Sequence, residues 1–301
     1  MPLRFAAVLS FVLVLGASVW WPASAQNLGP IQIHIDKANA TSGAEARTGL
    51  VTVRLTYRKT TDGIGPRAPV LEIEVEGKQV MRIEDGGNGR DWPSALAQIA
   101  EMDKSNPYPE VVFATYSGGA HCCNEVRIVT SSKDGATWSE VEGGAYDGGI
   151  KGVEDADYDG VFEIVRTDNA FLYRFSSYAS SFGPAQVKKL KGGKLVIATF
   201  EKSMEYLHRE RLERVQGRVD LSSGQGEKNG LLAGYVALKY LVGEGAEGWK
   251  FMLANYDKTS DTGLTECTGG YDASNNCRKE ETFPDYPAAL KHFLTAEGYI
   301  K

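Results

Sequence analysis

Acidic side chains at alternate positions of one short segment are the clearest sign of chemistry in this sequence. Residues 155–163 read DADYDGVFE, so carboxylates stand at the first, third, fifth and ninth positions and a glycine at the sixth. Alternate residues of a tight turn can direct their oxygens toward one point, and calcium prefers oxygen ligands. The segment therefore predicts a Ca²⁺ site, with a backbone carbonyl at the seventh position: Asp155, Asp157, Asp159, Val161 and Glu163.

The loop is not an EF-hand, because the twelfth position should then be a glutamate and is Arg166. It resembles the calcium loops of FG-GAP and integrin-α-type blades, which read Asp-x-Asp-x-Asp-Gly-x-x-Asp and lie between strands. Glu163 stands in place of the final aspartate. The resemblance implies a structural calcium ion. The alternative for the same residues is an acidic surface turn held by side-chain hydrogen bonds to the backbone.

A second candidate is the turn SGGAHCC at residues 117–123. Its glycine N–H groups could hold an oxyanion, and its serine or first cysteine would be a nucleophile if the histidine lay within hydrogen-bond reach. The G-x-S-x-G elbow of hydrolases is missing, so we favour a structural turn and assign no catalytic residue. The residues of this candidate functional turn are Ser117, Gly118, Gly119, His121, Cys122 and Cys123.

The N-terminus predicts export. Residues 1–25 combine a positive charge at Arg4, an apolar run over residues 5–19 and the small residues Ala-Ser-Ala before the cleavage point, as a secretory signal peptide does. The run is short for a membrane-spanning helix, and no second long apolar segment follows. We expect a periplasmic or secreted protein without a transmembrane segment after cleavage.

Charge narrows the choice of partner. Acidic residues outnumber basic ones by 39 to 33, and no run of basic residues occurs. A nucleic acid or an anionic membrane surface is therefore not expected as a partner. The expected partner is therefore an envelope component or another protein.

The four cysteines lie in the part predicted to be exported, where disulfides persist. Cys267 and Cys277 bracket a segment without periodicity, and a bond between them would contribute a little under ~3 kcal/mol by restricting the unfolded chain. We predict that bond. The adjacent Cys122 and Cys123 have Cα atoms only ~3.8 Å apart across a trans peptide, below the usual disulfide span. Buried thiols and a redox-sensitive vicinal bond both remain open for this pair.

Hydrophobic periodicity predicts an α+β fold. Residues 26–200 alternate with period two in segments such as 50–57, 111–116 and 125–130, which indicates antiparallel strands in a sandwich or a partial propeller. Residues 201–301 show apolar positions at helical spacing, as in the run LLAGYVAL. The predicted domains are a signal peptide at 1–25, a β-rich domain with the calcium loop at 26–200, and a mainly helical region at 201–301.

Three local predictions rest on shorter patterns. Residues 92–100 read WPSALAQIA and predict a short helix capped near Ser94. Aromatic residues alternate over 171–175, which predicts a strand whose rings face the core. Residues 217–230 predict a mobile connection.

A weak repeat places Glu110 and Glu163 in similar contexts, 53 residues apart. Each follows an acidic turn and opens an apolar strand. A period near 50 occurs in propeller blades, but the β-rich part is too short for a closed propeller. An open or sandwich-like arrangement is therefore expected.

A longer pattern joins YSGGAHCC at residues 116–123 to FLYRFSSYASS at 171–181. It resembles a pattern in uncharacterised secreted bacterial proteins, over about residues 109–199. The resemblance implies export and an FG-GAP-like fold, and it implies no activity.

Two functional hypotheses follow. The leading one is an exported, calcium-stabilised, non-catalytic binding or structural module of the bacterial cell envelope. The alternative is a periplasmic hydrolase or thiol-dependent enzyme that uses the turn at residues 117–123.

Overall fold

Strands predominate in the first part of the chain and helices in the last, which confirms the predicted α+β fold class. The computed structural model describes residues 29–58, 68–85, 93–221 and 228–301. The predicted signal peptide lies outside these residues. The strands of the described part are β1 Ile31–Ile35, β2 Ala44–Thr48, β3 Val51–Tyr57, β4 Pro69–Val75, β5 Lys78–Glu84, β6 Ala95–Ala100, β7 Glu110–Tyr116, β8 Asn124–Ser131, β9 Trp138–Tyr146, β10 Ile164–Thr167, β11 Ala185–Lys191, β12 Lys194–Ile197, β13 Thr265–Cys267 and β14 Glu280–Thr282. The helices are α1 Glu205–Leu221, α2 Lys228–Leu241, α3 Gly245–Asn255 and α4 Tyr286–Ala296.

Two antiparallel sheets share the first core. One has the strand order β2-β3-β4-β5 and the other the order β1-β6-β7-β8-β9. Along β3 every second residue is buried, as the alternation predicts. Val53 and Ile73 of the four-stranded sheet join Ile99 and Phe113 of the five-stranded sheet in one cluster. This face-to-face packing is the sandwich-like arrangement that the sequence predicts.

The opposite face of the five-stranded sheet is also covered. Val112 and Ile128 pack there with Ile164 and Leu190, which belong to a three-stranded sheet of order β10-β11-β12. The central strands of the larger sheet are therefore enclosed on both faces. The candidate calcium loop lies immediately before β10, where the two sheets meet.

The helix predicted at residues 92–100 is wrong, and Ser94 caps no helix. Residues 95–100 form β6, which pairs with β1 and β7, and all six of its residues are buried. A strand enclosed on both faces needs apolar side chains at consecutive positions, so it lacks the period of two. A short apolar segment of this kind has the same composition as a buried helix, so its sequence does not distinguish strand from helix. Pairing with β1 and β7 makes it a strand.

The strand predicted at residues 171–175 is also wrong. A 3-10 turn at Asn169–Phe171 is followed by further turns. Phe171 and Phe175 are buried and pack edge-on against Phe293, with ring centroids 4.8 and 5.6 Å away. Tyr173 points outward and is 58% exposed. The regular aromatic spacing thus serves the helical core and not a sheet.

The connection predicted at residues 217–230 is wrong at both ends, since α1 continues to Leu221 and α2 begins at Lys228. Residues 222–227 lie outside the described part. The end of α1 has little apolar periodicity. Earlier in the helix, ion pairs one turn apart stabilise its surface, between Arg209 and Glu205 and between Arg214 and Glu210.

None of the described helices is long and apolar enough to cross a membrane.

Candidate metal centre

The acidic loop is closed at its base by the backbone. Glu154 and Glu163 exchange two N–H to carbonyl hydrogen bonds, 3.0 and 2.8 Å long. The Phe162 N–H donates to the carbonyl of Glu101, just beyond the end of β6, over 2.8 Å. Within the loop Gly160 has φ +78°, a conformation that glycine adopts without steric cost. The loop is therefore a compact turn anchored to the five-stranded sheet.

The three aspartates converge, but Glu163 is not part of the converging group. Ligand oxygens of Asp155, Asp157 and Asp159 all lie within 4.8 Å of one another. Asp155 also accepts hydrogen bonds from the N–H groups of Asp159 and Gly160, each 3.1 Å long. Asp159 Oδ1 accepts the N–H of Val161 over 2.7 Å. The carbonyl of Val161 as a ligand stays a prediction.

Two buried carboxylate oxygens of the loop lack a hydrogen-bond donor among the described residues. Glu163 is fully buried, and its Oε2 accepts the Ala156 N–H over 2.9 Å. Its Oε1 and the Oδ1 of Asp157 have no such partner. Burial raises the pKa of Glu163 to about 7. Carboxylate oxygens without a hydrogen-bond donor can coordinate a hard cation such as Ca²⁺, which binds several oxygen ligands.

Lys189 of β11 supplies a positive charge to the same cluster. Its Nζ lies 2.8 Å from Asp157 Oδ2, 3.3 Å from Glu201 Oε2 and 3.9 Å from Glu163 Oε1. Although burial lowers the pKa of Lys189, the hydrogen bond to Asp157 and the surrounding charge raise it to about 12. No spacing in the sequence indicates this lysine, because it comes from a strand more than 20 residues after the loop.

The repeat noted in the sequence corresponds to a second loop of the same design. Glu110, the first residue of β7, is fully buried. Its Oε2 accepts the N–H groups of Met102 and Asp103 at 2.8 and 3.1 Å. Its Oε1 accepts Asn106 Nδ2 at 2.7 Å and Thr130 Oγ1 at 2.9 Å. Both oxygens of Glu110 are thus satisfied by the protein, whereas Glu163 keeps one without a donor.

Glu110 gives the protein a pH-dependent stability. Burial raises its pKa from 4.5 to about 7, so its contribution is fully present below about pH 4.5 and is lost as pH rises through about 7. Between about pH 5.5 and about pH 8, we expect this carboxyl to account for a decline of about 2 kcal/mol in the free energy of unfolding. Glu110→Gln should abolish this part of the pH dependence of the free energy of unfolding.

Urea unfolding of the wild type and Glu110→Gln in EDTA at the two pH values measures this part of the pH dependence. The difference between the two proteins isolates Glu110, because both retain His208, whose pKa is lowered by burial. Both also retain Glu163. An identical pH dependence in the two proteins would contradict the assignment.

The turn at residues 117–123 is held by hydrogen bonds between its two ends and by a ring contact to Tyr178. Ser117 Oγ accepts the Cys123 N–H over 2.6 Å, and the Ser117 N–H donates to the Cys123 carbonyl over 2.9 Å. The ring of exposed His121 stacks on Tyr178 with centroids 4.1 Å apart. In the described chain no hydrogen bond joins the His121 ring to Ser117, so the structure does not assemble a serine–histidine pair. Gly118, at φ +96°, and Gly119 lie in the same turn.

The cysteines fall into two pairs. Cys267 and Cys277 form a disulfide with a Cα separation of 5.6 Å. The sulfur atoms of Cys122 and Cys123 lie next to each other across a cis peptide. Cys122 is exposed and Cys123 half-buried, so the alternative of buried thiols is wrong. The turn projects from the end of the sheet, where neither side chain is enclosed.

Known proteins resemble most of this chain. A probable thylakoid lumen protein of Synechocystis sp., sll0997, is 44% identical over 255 residues, which are 84% of this chain and 74% of that protein. The chain belongs to the sll0997 family. The profile of the sll0997 C-terminal domain matches residues 208–298, from α1 to just past α4. The acidic loop lies outside that match.

A second relative matches this chain over only part of its own length. An uncharacterised protein of Sinorhizobium fredii, y4bJ, is 33% identical over 237 residues, which are 78% of this sll0997-family chain and 37% of y4bJ. The chain therefore spans little more than a third of that relative. No solved structure matches this chain significantly.

Proposed function

We propose that this sll0997-family protein is an exported, non-catalytic module of a lumenal or periplasmic compartment, stabilised by calcium at the acidic loop. Its similarity to a protein named for the thylakoid lumen supports export, as does the predicted signal peptide. The calcium proposal rests on one observation. Two buried carboxylate oxygens, Asp157 Oδ1 and Glu163 Oε1, have no donor among the described residues and belong to a loop whose three aspartates converge.

The two glutamate loops support calcium over a plain acidic turn. In the first loop, Asn106 and Thr130 donate to the second oxygen of Glu110. In the second loop, the same position of Glu163 has only Lys189, 3.9 Å away. An unsatisfied buried carboxylate oxygen costs about 1–3 kcal/mol or more. A bound cation would remove that cost in the second loop and has no role in the first.

Calcium at this point would act as a structural link. Glu163 directly precedes β10 of the three-stranded sheet, while Phe162 bonds to Glu101 at the end of β6 in the five-stranded sheet. A cation on the loop would hold both sheet ends in one arrangement. The resemblance to FG-GAP-type loops implies the same structural role.

Isothermal titration of Ca²⁺ into EDTA-treated protein tests the proposal. We expect one site, with affinity reduced about tenfold or more by Glu163→Gln or Asp157→Asn, because each removes a charged ligand. Glu110→Gln is the matched control, since Glu110 occupies the equivalent position in the loop without a predicted cation, and it should bind as the wild type does. No binding heat at millimolar calcium, or an equal loss in Glu110→Gln, would refute the calcium proposal.

A further inference from the structure

A pocket of about 330 Å³ lies between α1 and the loops at the edge of the three-stranded sheet. It shares no lining residue with the acidic loop. Helix α1 contributes two arginines, and the facing wall comes from the ends of β9 and β10 and from residues 178–183. The side chains used below are Arg211, Arg218, Asp147, Tyr178 and Phe182.

Arg211 is the unusual member of this lining. It is half-buried, and burial lowers the pKa of its guanidinium group. In the described part of the chain no carboxylate lies within ion-pair distance of it and no hydrogen bond engages it. Glu154, Glu210 and Arg214 act on its charge only from farther away. Partial removal of a guanidinium charge from water carries a cost that a bound anion would offset.

The other charges of the pocket are already engaged. Arg218 follows Arg211 by seven residues, two turns along the same helix. Its Nη2 donates to the carbonyl of Ala179 over 2.7 Å, and its guanidinium lies over the Phe182 ring at 5.7 Å. Asp147 accepts the Tyr178 hydroxyl over 2.6 Å. The pocket therefore holds two positive charges against one negative charge in a chain whose net charge is −6.

We propose that this pocket binds a small phosphate-class oxyanion, with Arg211 as its principal contact. Guanidinium groups bind phosphate through paired N–H donors in a fixed plane. A phosphate monoester carries a charge near −2 at pH 7, so the excess of positive charge in the pocket favours it over an uncharged ligand. The pocket volume suits a small ligand and is at the lower end for organic ligands. This inference is independent of the calcium proposal, since the two sites have no residue in common.

The same geometry predicts an unusual effect on stability. Without a bound anion, the half-buried charge of Arg211 opposes folding, as charged groups held for binding commonly do. Arg211→Met retains the apolar stem and removes the charge. We expect this variant to melt at a higher temperature than the wild type in chloride and to lose the response to phosphate.

Thermal melting at constant ionic strength provides the test, with inorganic phosphate or glycerol 3-phosphate replacing sodium chloride up to about 10 mM. A ligand that binds only the folded state raises the melting temperature with its concentration. We expect this rise in the wild type and in Arg214→Met, which removes an equal charge from the same helix at a residue that is 63% exposed and paired with Glu210. Arg211→Met should show no rise.

Several outcomes would overturn the assignment. One is a wild type that melts at the same temperature in phosphate and in chloride. Another is an Arg211→Met variant, folded by circular dichroism, that responds as the wild type does. Flotation with phosphatidylglycerol vesicles, compared with phosphatidylcholine vesicles, distinguishes a lipid headgroup from a free ester. Binding to the anionic vesicles without any response to free glycerol 3-phosphate would indicate a charged surface and not this pocket.

Discussion

Lys189→Met is expected to lower the free energy of unfolding by about 3–5 kcal/mol in EDTA, because removal of one partner from a buried ion pair leaves the other uncompensated. Lys189 Nζ lies 2.8 Å from Asp157 Oδ2, and the side chains of the two residues are 11% and 5% exposed. Hydrogen bonds from Lys189 and Ser203, acting against burial, lower the pKa of Asp157. The aspartate is therefore charged at neutral pH and depends on a nearby cation.

Calcium should restore most of that loss. The ammonium of Lys189 and a calcium ion would neutralise the same carboxylates, so the ion compensates where the lysine is missing. For the same reason the variant should bind calcium more tightly than the wild type, because a competing charge has been removed. Urea unfolding in EDTA and in excess calcium measures both stabilities, and calorimetry measures the change in affinity.

Lys188→Met is the matched control. The neighbouring lysine points to the other side of β11, where its Nζ lies over the Tyr146 ring at 5.2 Å. Loss of that contact should cost about 0.5–1 kcal/mol, with or without calcium. If Lys189→Met proves equally destabilised in EDTA and in calcium, the lysine alone neutralises the loop and the calcium proposal fails.

The success of the sequence-based predictions depends on how far apart the cooperating residues lie. The acidic loop is predictable because its converging aspartates lie within five residues, and the turn geometry follows from Gly160. Lys189 escapes prediction because β11 reaches the loop only through the pairing of β10 with β11. Glu110 is visible as a repeat, but its four donors come from the preceding loop and from β8.

The pocket lined by Arg211 and Arg218, here called the arginine pocket, is even harder to predict from the sequence. Arg211 and Arg218 have ordinary spacing for a solvated helix face, and nothing local distinguishes them from Arg214. Their significance depends on the segment at residues 178–183, which folds against α1 and α2 only in the complete structure. The turn at residues 117–123, by contrast, is conspicuous in sequence, and its contacts are mostly internal or to Tyr178.

Gly234→Ala is expected to destabilise the fold by about 3 kcal/mol, the cost of overpacking a close-packed core. Gly234 lies in the middle of buried helix α2. A Cβ atom there would collide with the carbonyl oxygen of Phe182 and lie 3.0 Å from its ring. Backbone cannot move aside as a flexible side chain can, so α2 and the loop at residues 178–183 would have to separate.

Gly217→Ala is the control that separates packing from helix propensity. Gly217 is an exposed residue of α1, and beyond the adjacent backbone of its own helix an added Cβ would have no described neighbour within 4 Å. Alanine should therefore stabilise the protein by up to about 1 kcal/mol. Urea unfolding of both variants should therefore give shifts of opposite sign. Because Phe182 also lines the arginine pocket, Gly234→Ala should weaken the phosphate response as well, while Gly217→Ala should leave it intact. Equal shifts in both variants would show that α2 does not press on this loop.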